Sequence, residues 1–181
     1  MATAIFDDTS VDGSNAQRGS TTALNARKFS IAAAKVIKYY KMGLTQYSAS
    51  GNCRVSIYSH NSGTDLPDTL VTGSDVVKAC STITQVTITT YQLDVATPPT
   101  LEAGTYWLVQ DDNGEGSGTY AYAGIYTGAN DGIRKLVAGG ATTSYTWDWG
   151  VWAVDPVSFV PFPLSSRGAR GGLLVLSGGV Q

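Results

Sequence analysis

The side chains able to do acid–base or nucleophilic chemistry are few and far apart. The 181-residue chain holds one histidine, His60, two cysteines, Cys53 and Cys80, and only Glu102 and Glu115 as glutamates. Acyl transfer needs a nucleophile, a base and a group that orients the base. His60 instead opens the turn-like run His60-Asn61-Ser62-Gly63, with Asp65 and Asp68 nearby, and no G-x-S-x-G elbow precedes a helix. The sequence therefore predicts a turn histidine without partners. Cys53 and Cys80 read as buried strand residues, because no activating group accompanies either. A glycosidase would set a Glu on a strand near a second acid, whereas Glu102 precedes Gly104 and Glu115 lies among glycines.

Gly114-Glu115-Gly116-Ser117-Gly118 lacks the G-K-[ST] ending and the G-x-G-x-x-G spacing of phosphate loops and reads as a hairpin connection. Asp111, Asp112, Asn113 and Glu115, with Asp65 and Asp68 as further contributors, supply the oxygens that Ca²⁺ prefers. Their spacing falls short of an EF-hand loop, whose closing bidentate Glu is absent, and Asp-Asn-Gly is also ordinary turn composition. The expectation is a chain without catalytic, cofactor-binding or metal-binding residues, calcium being the one ion these oxygens would suit. Tyr120, Tyr122, Tyr126, Tyr145, Trp147, Trp149 and Trp152 leave two readings open. They stack on sugar rings, with Tyr120, Tyr122 and Trp147 as the glycan contacts, or they fill a core or a subunit interface.

The elements that carry these residues follow from composition and periodicity. Charged residues are 14% of the chain, hydrophobic ones 43%, and glycine contributes 21 residues. Enough apolar surface exists for a core, which excludes wholesale disorder, and abundant Thr, Val and Tyr with few Glu favour strands over a helical bundle. A net charge of −2 without a Lys/Arg cluster argues against a nucleic-acid groove. No run of 18 apolar residues suits a membrane span. The first residues, MATAIFDDTSVDGS, lack the apolar stretch of a secretory signal, so the chain is expected to stay in the cytoplasm where it is made.

Cys53–Tyr58 alternates with period two, Val55 and Ile57 facing one way and Arg54 and Ser56 the other. Val86 and Ile88, then Tyr91, Leu93 and Val95, continue the pattern. Thr105–Val109 is apolar on both faces, as a central strand is, which puts Trp107 and Val109 in the interior. Residues 119–126 and one long strand from Tyr145 to Val154 complete the set. Ile31–Leu44 is ambiguous, since Lys35, Lys38 and Lys41 would line one helical face. Without a capping box, strands are preferred there, with Phe29/Ile31 and Ile37/Tyr39 as inward rows. About eight short strands at such spacing predict an all-β, jelly-roll-like sandwich.

The sandwich is expected over residues 29–159, between an extended N-terminal arm (1–28) and a Pro/Gly-rich C-terminal tail (160–181). In the tail, Leu173, Leu174, Val175 and Leu176 lie between Gly171-Gly172 and Gly178-Gly179. Four aliphatics on so free a backbone fit a strand or plug docked on a neighbouring subunit, with Arg167 and Arg170 meeting that neighbour's net-acidic body.

The stretches FSIAAAKVIKYYKMGL, VSIYSHNSGTDLPDTLV, LEAGTYWLVQ and WGVWAV follow an order that resembles the jelly-roll modules of tailed-phage virion proteins and of bacterial surface proteins with assorted anchors. The resemblance covers roughly residues 29–155 and is most specific at YSHNSGTDLPDTL and LEAGTYW. It implies a non-enzymatic structural protein of a tailed bacteriophage virion, a capsid decoration or cement protein or a head or tail appendage, assembled in the host cytoplasm. Its partners would be other virion proteins and itself in a homo-oligomer, with no nucleic acid and no membrane. The alternative is a carbohydrate-binding module for host attachment. The absence of a signal and of a sorting tail favours the phage form over the bacterial surface form.

Overall fold

A computed structural model describes residues 1–7, 15–18, 23–46, 50–85, 88–113, 121–126, 133–137, 140–147 and 149–156. The strands are β1 (Thr3–Asp7), β2 (Asn15–Arg18), β3 (Ala23–Ile31), β4 (Lys35–Gln46), β5 (Asn52–Asn61), β6 (Leu66–Leu70), β7 (Val76–Ala79), β8 (Thr89–Asp94), β9 (Thr100–Leu101), β10 (Gly104–Asp111), β11 (Ala121–Tyr126), β12 (Ile133–Val137), β13 (Gly140–Trp147) and β14 (Trp149–Val154). One 3-10 turn, Cys80–Thr82, is the only helical element among the described residues.

The protein is an all-β sandwich whose ladders are antiparallel. In the first sheet β14 lies between β1 and β4, while β8 and β9 pair along the other edge of β4. β11 meets the far end of β4 and carries β2. The second sheet runs β13, β12, β3, β10, β5, with β6 and β7 on the outer edge of β5. β13 also reaches β11, through Ile125↔Trp147 and Tyr126↔Thr146, which curls the two sheets into one hydrogen-bonded path.

The ambiguous stretch is strand, and it carries an irregularity that the pattern did not show. The register along β14 runs Trp152↔Tyr39 and then Ala153↔Ile37, so Lys38 is an extra residue in β4. A bulge of one residue reverses the facing of all that follows. Ile37, Tyr40, Met42 and Leu44 therefore point inward, and Tyr39, expected in the inward row, turns outward onto Trp152. The inner faces bring these side chains against Phe29, Ile31, Cys53, Val55, Ile57 and Leu108 of the second sheet.

One polar tie crosses this interior. The Tyr40 hydroxyl donates to the Ser74 carbonyl at 2.6 Å. Ser74 Oγ in turn accepts from the Ile57 amide at 3.0 Å and donates to its carbonyl at 3.2 Å. Burial, outweighing the hydrogen bond to Ser74 and assisted by Asp75, raises the Tyr40 phenol far above its ordinary value and keeps it neutral. The turn before Ser74 needs Gly73, whose φ is +77° and whose place leaves a Cβ only 3.0 Å from the Thr97 carbonyl oxygen.

Two expectations change. The long strand from Tyr145 to Val154 is two strands: β13 ends at Trp147 and pairs with β11 and β12, while β14 starts at Trp149 and pairs with β4 and β1. Apolar alternation keeps the same phase through such a break, so it cannot reveal one. Within the stretch expected as an arm, β1 pairs with β14 and β3 begins at Ala23, so its described parts are strand.

Candidate functional site

The chemistry-bearing side chains gather on β5 and β10, which pair as Arg54↔Asp111, Ser56↔Val109 and Tyr58↔Trp107. Alternation puts Arg54, Ser56, Tyr58 and His60 on the face of the second sheet turned away from the main core, with Trp107, Val109 and Asp111 beside them. Ala26, Trp107 and Val109 form a separate, fully buried cluster there, against Tyr58 and Leu66.

At one end of this face Arg54 grips Asp111 with two nitrogens, Nη2 to Oδ2 at 2.6 Å and Nε to Oδ1 at 3.0 Å. That hydrogen bonding raises the guanidinium's already high pKa further, against the opposing effect of desolvation. The Asn113 amide adds a third donor to Asp111 Oδ1 at 2.8 Å, from a turn in which Asn113 has φ 54°. The carboxylate considered for calcium is thus engaged by a cation of the fold itself. Among the described residues no group of three His, Cys, Asp or Glu is arranged to hold a metal ion, and Glu115 lies outside them.

At the other end the Trp107 indole N–H donates to His60 Nδ1 at 3.1 Å. His60 Nε2 lies 3.8 Å from Asp65 Oδ1, which Lys28 holds at 2.7 Å, and Lys28 Nζ stands 5.6 Å from the Trp107 ring centroid. His60 is therefore neither a turn residue nor without partners. β5 continues through Asn61, and the turn comes later, its Gly63 and Thr64 amides capped by Asn61 Oδ1. The signal was available: His60 prolongs the Arg54, Ser56, Tyr58 alternation by one step. As the acceptor of a buried indole, its Nδ1 positions Trp107 and is taken up by it.

A second polar thread crosses the same strands on the core side. Asn25 Nδ2 donates to Gln110 Oε1 at 2.6 Å, and Gln110 Nε2 lies 3.6 Å from Cys53 Sγ. Burial pushes the Cys53 thiol up to about 12, more than the Gln110 hydrogen bond lowers it. Cys53 and Cys80 are free and buried, Cys53 on a strand as expected and Cys80 at the start of the 3-10 turn.

On the outer face of the first sheet, Tyr39 stacks on Trp152 with ring centroids 5.2 Å apart and planes 14° apart. Lys41 Nζ covers the same indole at 4.4 Å. Trp152 is only 7% exposed, so the chain's own groups cover this ring. The backbones of Tyr122 and Trp147 lie in β11 and β13. The side chains of those two, together with Tyr120 and the tail residues Arg167, Arg170, Leu173, Leu174, Val175 and Leu176, fall outside the described residues.

The class that this architecture defines is an all-β sandwich with polar cross-strand ties. No protein-family model matches the chain, and no curated protein matches it.

Proposed function

We propose that the chain is a non-enzymatic structural protein of a tailed-phage virion, a capsid decoration or cement protein or a head or tail appendage, whose terminal segments tie neighbouring subunits together. The observation that carries the reading is how His60, Arg54, Asp111 and Cys53 on β5 and β10 are engaged: Trp107 bonds His60, Arg54 bonds Asp111, and Cys53 is sealed beside Gln110. Each group joins strands to one another, which suits a module whose work is mechanical. The likeness of residues 29–155 to virion jelly rolls supports the same reading.

In such an assembly the tail adds its apolar run Leu173–Leu176 to a neighbour, where many modest contacts multiply through effective concentration. Burying four such side chains gives roughly 6–12 kcal/mol gross, much of which offsets the ordering of the tail. The test is deletion of residues 165–181. The body should keep its cooperative melt, and incorporation into particles or oligomers should be lost. Wild-type occupancy by the truncated protein would remove the tail as tether. Binding to a glycan array that Tyr122→Ala or Trp147→Ala abolishes without lowering Tm would favour the host-attachment module instead.

A further inference from the structure

We propose that β1 is an exchangeable strand: the β14 edge and the aromatic socket that hold it accept Thr3–Asp7 of a second copy of this chain. The proposal deepens the assembly reading and rests on it, naming the partner and the contact. β1 joins the fold through one ladder, Thr3↔Ala153, Ala4↔Trp152, Phe6↔Val151 and Asp7↔Gly150. The register shift between Ala4 and Phe6 turns the strand so that Ile5 and Phe6 both pack on the core. The Phe6 ring lies 5.5 Å from Phe29 of β3, which in turn lies 6.0 Å from Tyr106 of β10. The Arg27 guanidinium covers Phe6 at 3.9 Å from its centroid. Phe6 is thus a key from the edge of one sheet to the face of the other, and its socket is made of β3, β10 and β14.

Three properties make the occupant a second copy. Every copy carries the same socket and the same key, so a strand from a neighbour makes the same ladder and ring contacts as the chain's own, and exchange sacrifices none of them. The tether also permits it. Residues 8–14 separate Asp7 from Asn15 of β2, eight Cα-to-Cα steps that a fully extended chain covers in roughly 26–29 Å. A tether so short keeps the chain's own strand at an effective concentration of order millimolar. Dilute copies therefore keep their own β1, and copies packed at similar density share it.

Side-by-side pairing of sheet edges is obstructed along β1 and along β6. The bulge and Asp7 interrupt the outer edge of β1, and Pro67 and Asp68 interrupt β6. Bulges, charges and prolines are the usual means of blunting an edge.

Thr3→Cys combined with Ala153→Cys places thiols on paired positions, and Asp7→Cys with Gly150→Cys provides an independent pair should the first distort the core. Native Cys53 and Cys80 are buried and stay out of the reaction. The full chain is oxidised at micromolar concentration and after equilibration at millimolar concentration, then compared on non-reducing gels and by light scattering. Monomeric cross-links should dominate in dilute samples, and covalent multimers should rise at least tenfold in concentrated ones. Phe6→Ala should abolish that rise. Intramolecular cross-links alone, in samples that scatter as multimers, would overturn the exchange and leave the assembly reading intact. Monomers by both measures at every concentration would overturn both.

Discussion

Both faces of the second sheet bury apolar side chains, yet different physics holds each one. The inner face is packed by Phe29, Val55, Ile57 and Leu108 against the first sheet, and its order comes from close-fitting apolar volume. The far face buries Trp107, Val109 and Ala26, but between two partnered polar ends, Arg54–Asp111 and His60–Trp107. Apolar packing there is bracketed by directional bonds that only one strand register satisfies. The inner face thus supplies most of the stabilisation, and the far face fixes the alignment of β3, β5 and β10. A strand apolar on both sides, such as Thr105–Val109, can belong to two different kinds of interior at once.

Substitutions at neighbouring positions separate these roles. Trp107→Ala and Leu108→Ala empty opposite faces of one strand. Each should lower unfolding free energy by about 3–5 and 2–5 kcal/mol respectively, measured by urea denaturation. A loss under 1 kcal/mol for Trp107→Ala would dissolve the comparison. Arg54→Ala should cost about 3 kcal/mol, because Asp111 is then left as an unpaired buried carboxylate. The double variant Arg54→Met with Asp111→Leu should recover most of that loss, as apolar replacements of buried pairs do. If the double variant is as unstable as the single, the ion pair is not what aligns these strands.

The inner face has its own signature in alkali. The folded Cys53 thiol holds its proton to about 12, whereas an unfolded cysteine releases it near pH 8.5. Between those values the unfolded state binds fewer protons, so stability falls as pH rises, by roughly 1 kcal/mol per unit. Below pH 8 the effect is negligible, and Cys53→Ala should lessen the slope measured between pH 9 and 10, leaving the part owed to the buried Tyr40 phenol. Smallest of all, His60→Ala should cost about 1 kcal/mol by leaving the Trp107 indole without its acceptor. His60→Gln, which restores an acceptor oxygen, should return part of it, and a cost within error for His60→Ala would show that the bond does not help to hold the far face.

Alternation alone made much of this legible. Val55 and Ile57 against Arg54 and Ser56 follow from a period of two, and Trp107 and Val109 in the interior from a strand apolar on both faces. What alternation misses is where the period slips. The extra Lys38 in β4 exchanges the roles of Tyr39 and Tyr40 without changing composition, and the change of partner between Trp147 and Trp149 leaves the apolar pattern unbroken. His60 reads as part of a turn because Asn61-Ser62-Gly63 is turn-like from its first polar residue, although the strand runs on through Asn61. Its partner, Trp107, is remote in sequence, and such pairings are set by register, which a single sequence does not display.

The buried cysteines carry a consequence beyond stability. Oxidants and disulfide exchange act on thiolates, and Cys53 remains a thiol under ordinary conditions while both sulfurs are enclosed by the sandwich. The fold therefore makes no covalent record of its surroundings. Neither Cys53 nor Cys80 is in a disulfide, so the fold has no such bond for a reductant to break.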